Sequence, residues 1–225
     1  MHRRFAAVLI GLGALVTGCA SSVSGTGTIA ADASRPAGGA SGSATPSGSP
    51  TPTPGGSGGT GRKALSCSGT TISPSGSPYC FTVQAGFQDV SSAVTVDANI
   101  GQEKYRSAVA VGDRDLIIVS VYELKVDTDG IAGDTLEAEL KTVLGQLAQQ
   151  GFTFESTSAR KSTTDGARTF SYRASQASSG LESDVYFMFS GKNELQVNCQ
   201  WKNRKTDISK GCAAVLASLQ FKSVK

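Results

Sequence analysis

The nearest thing in this chain to a nucleophile with a base beside it is Ser158-Ala159-Arg160-Lys161, a Ser-x-x-Lys spacing. Acyl enzymes that use this spacing open a helix with the serine and carry two further motifs. Here residues 154–161 predict a strand, which points Ser158 and Lys161 to opposite faces, so the pair reads as surface. Asp127-Thr128-Asp129-Gly130 begins like a calcium loop. A complete loop needs another oxygen ligand two residues on and a glutamate at its twelfth position. Those places hold Ile131 and Ala138. Asp134 could still complete a loose site, but a solvated turn is the stronger reading.

What the chain lacks excludes more. Its one histidine, His2, lies in the N-terminal segment described below. The rest has no imidazole, which removes Ser-His-Asp and Cys-His catalysis and every metal site built on histidine. No metal, no cofactor and no catalytic residue is expected. A glycan-acting enzyme that uses carboxylates alone would need two acids facing one cleft, drawn from the domain's acids, all of the 18 but Asp32. The net charge of +3 falls to +1 once Arg3 and Arg4 are set aside, too little for a nucleic-acid partner.

Two clusters could bind rather than react. Gln196, Asn198 and Gln200 alternate with Leu195, Val197, Cys199 and Trp201. Strand periodicity sends the apolar set to a core and leaves a row of amides on the other face. Such a row beside an aromatic could hold sugar, or an added strand if the edge is open. Trp201-Lys202-Asn203-Arg204-Lys205, with Lys210 nearby, is the densest basic run. It could meet anionic headgroups or cell-wall polymer with Trp201 as a flat anchor. The candidate ligand face is therefore Trp201, Gln196, Asn198, Gln200, Lys202, Arg204 and Lys205. For each cluster the plainer reading is ordinary sheet or turn surface.

Four cysteines remain after Cys19, and Cys67 and Cys80 stand as far apart in sequence as Cys199 and Cys212. Four-thiolate zinc sites bring ligands in close Cys-x-x-Cys pairs, which are absent here. The spacing predicts two local disulfides, Cys67–Cys80 and Cys199–Cys212, each closing a loop worth about 3 kcal/mol in the chain-entropy model.

The elements that must hold these groups begin after Leu65. Residues 79–83 predict a short strand, 87–99 a turn with a further short strand, and 104–111 with 115–124 a hairpin through Gly112-Asp113-Arg114. The run Leu116-Ile117-Ile118-Val119-Ser120-Val121-Tyr122 is apolar on both faces and predicts a central strand covered on both sides. Residues 134–150 predict the strongest helix, with Leu136, Leu140, Val143, Leu144, Leu147 and Ala148 in one stripe. Asp134 and Glu137 have capping-box spacing, and Gly151 stands where a C-cap belongs. Strands follow at 154–161 and 167–174 around Asp165-Gly166, then at 182–190 and 194–201 around Gly191-Lys192-Asn193. Asp207 starts a last helix with Ile208, Cys212, Val215, Leu216 and Leu219 as its stripe. The fold class expected is α+β, a mainly antiparallel sheet flanked by two amphipathic helices, an α/β/α sandwich over residues 65–225.

Ahead of this domain, residues 20–64 are almost all Gly, Ser, Thr, Ala and Pro, and the seven prolines of the chain lie between Pro36 and Pro78. Such a segment buries too little apolar surface to order itself, and ~45 flexible residues span about 35–40 Å on average. At the N-terminus, Arg3 and Arg4 precede an apolar run from Phe5 to Val16, too short to span a bilayer and ending in Leu15-Val16-Thr17-Gly18-Cys19. This end resembles the lipobox of bacterial lipoproteins. The resemblance implies a signal peptide over residues 1–18, acylation of Cys19, and a lipid-anchored disordered tether over residues 19–64.

The order hairpin, helix, strand meander, helix resembles the PsbP-like α/β/α sandwich of actinobacterial cell-surface lipoproteins. The residues that carry it are Gly86-Phe87, Gln149-Gln150-Gly151-Phe152, and Asn198-Cys199-Gln200-Trp201 leading to Cys212 and Ser218-Leu219. It implies an accessory or binding protein without catalytic activity, held at the outer face of the bacterial cytoplasmic membrane. The expected partners are the membrane, through the lipid, and an envelope protein, glycan or lipid. A purely structural display domain is the further alternative.

Overall fold

The computed structural model describes residues 65–94 and 103–222. Cys19, the tether and the strand expected around Val96 lie outside them. The described chain forms β1 (Thr71–Ile72), β2 (Tyr79–Thr82), β3 (Gln88–Asp89), β4 (Glu103–Gly112), β5 (Asp115–Glu123), α1 (Gly133–Gln149), β6 (Phe152–Phe154), β7 (Arg160–Thr164), β8 (Ala167–Gln176), β9 (Leu181–Ser190), β10 (Asn193–Trp201), α2 (Lys205–Ser218) and β11 (Gln220–Phe221). An eight-stranded sheet runs β3-β4-β5-β10-β9-β8, with β6 and β7 both paired to β8; a small sheet runs β1-β2-β11. Every pairing is antiparallel. The fold is α+β, with one helix on each face of the large sheet.

The two faces are filled by alternate residues of the same strands. Ile117, Val119, Val121, Leu195, Val197, Cys199 and Trp201 face α2, where they meet Ile208, Cys212 and Val215 together with Tyr79, Phe81 and Phe221 of the small sheet. Phe170, Tyr172, Phe187 and Phe189 face the other way and receive Leu136, Leu140 and Leu144 of α1. Beyond α1's aromatic cluster, Val90 and Val94 pack on Ala108, Ala110, Leu116 and Ile118. The doubly apolar β5 is central, because both of its faces have a layer to meet.

Both local disulfides form. Cys67–Cys80 ties the start of the domain to β2, and Cys199–Cys212 staples α2 to β10 across the core. The Asp165-Gly166 turn has both residues at positive φ, 48° and 80°, the geometry that suits a two-residue hairpin with the right-handed strand twist. Gly151, at φ 91°, follows the last turn of α1 as expected.

Two local expectations need correction. Residues 154–161 do not form one strand: the chain leaves β8 after Phe154 and returns at Arg160. Between them the Ser156 hydroxyl accepts the Ser158 N–H at 3.0 Å, a side-chain bond that competes with the strand ladder. Asp134 and Glu137 make no capping box, since the N-cap is Ala132. Their carboxylates instead take Lys161 of β7, each at 2.8 Å.

Candidate functional site

The structure splits the predicted ligand face. Gln196, Asn198 and Gln200 point to the α1 side of β10, and Trp201 points to the α2 side, because neighbours in a strand alternate. Trp201 is 3% exposed, so it is no surface anchor. Its ring is capped by the Arg173 guanidinium at 5.6 Å and the Lys205 ammonium at 5.3 Å. Nor is there an open edge, because β10 is hydrogen-bonded on both sides, to β5 and β9.

The basic run is held by the fold. One oxygen of the buried Asp115 carboxylate accepts the backbone N–H groups of Lys202, Asn203 and Arg204 at 2.9, 2.9 and 2.8 Å. Burial pushes the Asp115 carboxyl up, but these three donors outweigh it and hold it below the ordinary range. Arg204 then donates to Asp207 at 2.8 Å and to the Val111 carbonyl at 2.9 Å. Lys205 pairs with Glu182 at 3.6 Å. The run positions the start of α2, and Arg204 and Lys205 within it are each paired to an acid.

The other two motifs are likewise structural. Lys161 is kept ionised by the Asp134 and Glu137 carboxylates, so it cannot serve Ser158 as a base. The Asp127–Gly130 loop is an exposed turn at Asp127, Asp129 and Gly130, but Thr128 within it is buried and its hydroxyl donates to the Gly191 carbonyl at 2.9 Å. Asp129 accepts the Gly191 N–H at 2.8 Å, and Arg168 donates to the Thr128 and Ile131 carbonyls. The loop is a clip on the β9–β10 turn. No group of three or more His, Cys, Asp or Glu able to hold a metal occurs among the described residues.

What remains is a polar row across three neighbouring strands on the α1 side. On β10 it comprises Glu194, Gln196, Asn198 and Gln200, whose cross-strand partners on β5 are Tyr122, Ser120, Ile118 and Leu116. On β4 it continues with Glu103, opposite Tyr122, and Arg106, opposite Ser120. A register shift between Glu103 and Tyr105 turns Glu103 onto this face. Arg106 grips Glu103 bidentately at 2.8 and 2.7 Å. Gln196 donates to Glu194 at 2.6 Å.

Burial grades along this row. Gln200 and Glu194 are only 1% and 5% exposed, whereas Gln196, Asn198, Tyr122 and Arg106 are half-buried. Burial pushes the Glu194 carboxyl up to about 7, against a smaller downward pull from the Gln196 amide. Burial also raises the Tyr122 phenol, and the neighbouring Glu103 and Glu194 raise it further. Glu103 and Glu194 flank Tyr122 as its cross-strand neighbours on β4 and β10. The Glu103 side chain is fully buried and both its oxygens are held by Arg106. Glu194 was absent from the predicted face, although it continues the same alternating row two residues before Gln196. Glu103 gave no such signal, because only the bulge in β4 brings it there, whereas Arg106 reaches the face by ordinary alternation with Ala108 and Ala110.

No protein-family model matches this chain, and no curated protein matches it. Three solved structures follow a similar path at low identity. Cyanobacterial PsbP (CyanoP) from Synechocystis sp. PCC 6803 aligns over 75% of this chain and 98% of its own, with 16% identity and a TM-score of 0.48. A protein from Bacteroides thetaiotaomicron VPI-5482 aligns over 69% of this chain at 10% identity and a TM-score of 0.45; the chain spans about half of its length, 49%. LpqN of Mycobacterium tuberculosis, described as involved in cell envelope biogenesis, aligns over 66% of this chain and 88% of its own, with 12% identity and a TM-score of 0.44. Likenesses this distant carry no argument about what the domain does. Among the described residues no helix is long and apolar enough to cross a membrane.

Proposed function

We propose that this is a non-catalytic binding or accessory protein of the bacterial envelope, anchored through an acylated Cys19 and displayed on the tether of residues 20–64. Its ligand would lie on the α1-side polar row of β10, β5 and β4. The observation that carries this reading is the half-burial of Gln196, Asn198, Tyr122 and Arg106 in front of the buried Glu194. A sheet face that only had to close a core would be apolar there, as the Leu195, Val197 and Cys199 side of the same strand is. The anchor rests on the Leu15–Cys19 pattern and its basic, apolar lead.

The test is a thermal-shift and binding screen of the full mature protein against envelope glycans, lipid vesicles and envelope extract, repeated with Gln196→Ala and Asn198→Ala combined. Saturable binding that the double variant loses supports the face. Binding that survives the double variant moves the ligand elsewhere, and silence across every class leaves display as the function. Intact mass tests the anchor: a mature N-terminus other than acylated Cys19 removes it.

A further inference from the structure

Resting on the binding reading above, we propose that the polar row takes its ligand through a cationic amine, with Glu194 as the residue that receives it. The ligand class is a hydroxyl-rich amino sugar chain.

The inference comes from a mismatch in the buried acids. Glu103 is matched by Arg106, and Asp115 by three backbone N–H groups. Glu194 is as buried as these, yet the described residues give it one neutral donor, the Gln196 amide, and no cation. Of the cations on the same face, Arg106 is committed to Glu103, Arg168 to the Thr128 and Ile131 carbonyls, and Lys161 to Asp134 and Glu137. A buried carboxyl without a cation is a destabilising choice, and its cross-strand neighbours Phe189 and Tyr122 do nothing to relieve it.

Gln196 is the side chain that donates to this carboxyl, at 2.6 Å. It lies on the same side of the strand, is half-buried, and reaches back to Glu194 with a flexible unbranched side chain. Rotation of that side chain would let a ligand ammonium take the donor's place. An ammonium brings three N–H donors, enough for Glu194 and for amide oxygens at Gln196 and Asn198. The bond to Glu194 would then be charge-assisted, stronger than the neutral bond it replaces. The half-buried Asn198 amide and Tyr122 hydroxyl match sugar hydroxyls, which both donate and accept. A ligand with an acetamide in place of the amine would leave the carboxyl without its cation.

Calorimetric titration of the full mature protein with a short glucosamine oligomer, and with the same oligomer fully N-acetylated, decides the matter. The free-amine oligomer should bind, the acetylated one far more weakly, and Glu194→Gln should weaken the former roughly 10- to 100-fold. This isosteric variant keeps the carboxyl's shape; circular dichroism and melting of the same sample check that it folds. A loss of the protonated-carboxyl infrared band on adding the amine oligomer, present in the wild type and absent in Glu194→Gln, is the second expected result. Equal binding of the two oligomers, equal binding by Glu194→Gln, or no binding of either oligomer overturns the amine role. If the acetylated oligomer binds through Gln196 and Asn198 and ignores Glu194→Gln, the binding face stands and only the amine role falls.

Discussion

Gly211 of α2 lies against the ring of Phe87, so closely that a Cβ at position 211 would come within 2.3 Å of the Phe87 Cζ. The Ile117 Cδ1 would be 3.1 Å away, which closes the other escape. In a helix interior alanine is better than glycine by about 1 kcal/mol, so intrinsic propensity favours Gly211→Ala. Overpacking opposes it by about 1–3 kcal/mol. The clash is with a ring wedged against the core, so we expect net destabilisation and a lower urea midpoint at unchanged slope. A midpoint equal to or above the wild type would show that Phe87 moves aside freely.

Asp115 should be the most sensitive single carboxylate in the domain. Asp115→Ala leaves three N–H groups at the start of α2 without their acceptor, and should lower stability by about 3 kcal/mol. Because its carboxyl is held below the ordinary value of 3.8, the stabilisation is present above that pH and is lost as pH falls below it. Chemical denaturation of wild type and variant across acidic pH should show curves that converge at low pH. Parallel curves would assign the acid sensitivity to another group.

Glu194 should give the opposite trend. Its carboxyl titrates near 7 in the folded protein against 4.5 ordinarily, so the folded state holds the proton more tightly. The resulting stability is fully present below 4.5 and is lost as pH rises through 7, a swing of about 3 kcal/mol. Glu194→Gln should flatten this segment and be the more stable protein at alkaline pH. A variant with the wild-type slope would place the titration elsewhere.

The disulfides should differ in consequence despite equal loop length. Both pairs are separated by 13 residues, which predicts about 3 kcal/mol for each from chain entropy. Cys199 and Cys212 also lie in the α2-side core, whereas Cys67 is only half-buried at the domain's start. Calorimetry of Cys199→Ala/Cys212→Ala should therefore show the larger fall in Tm than Cys67→Ala/Cys80→Ala. Equal falls would mean that loop closure is the whole effect.

The sequence by itself determined the fold class, the helices, the hairpin turns and the cysteine pairs, because each is written in near neighbours. Period-3.6 and period-2 apolar patterns, Asp165-Gly166, and a 13-residue cysteine spacing all act within a few turns of chain. The same alternation also separated Trp201 from the amides of Gln196, Asn198 and Gln200, although all four were grouped in one expected face. Tertiary structure alone decided which polar groups meet. That Glu103 and Glu194 flank Tyr122 depends on β4, β5 and β10 being neighbours and on one register shift at the start of β4. That Asp115 reaches the turn before α2, and that the Asp127–Gly130 loop clips onto Gly191, depends on contacts between distant segments. Local propensities carry no information about such pairings; they are selected when the whole sheet closes its two cores at once.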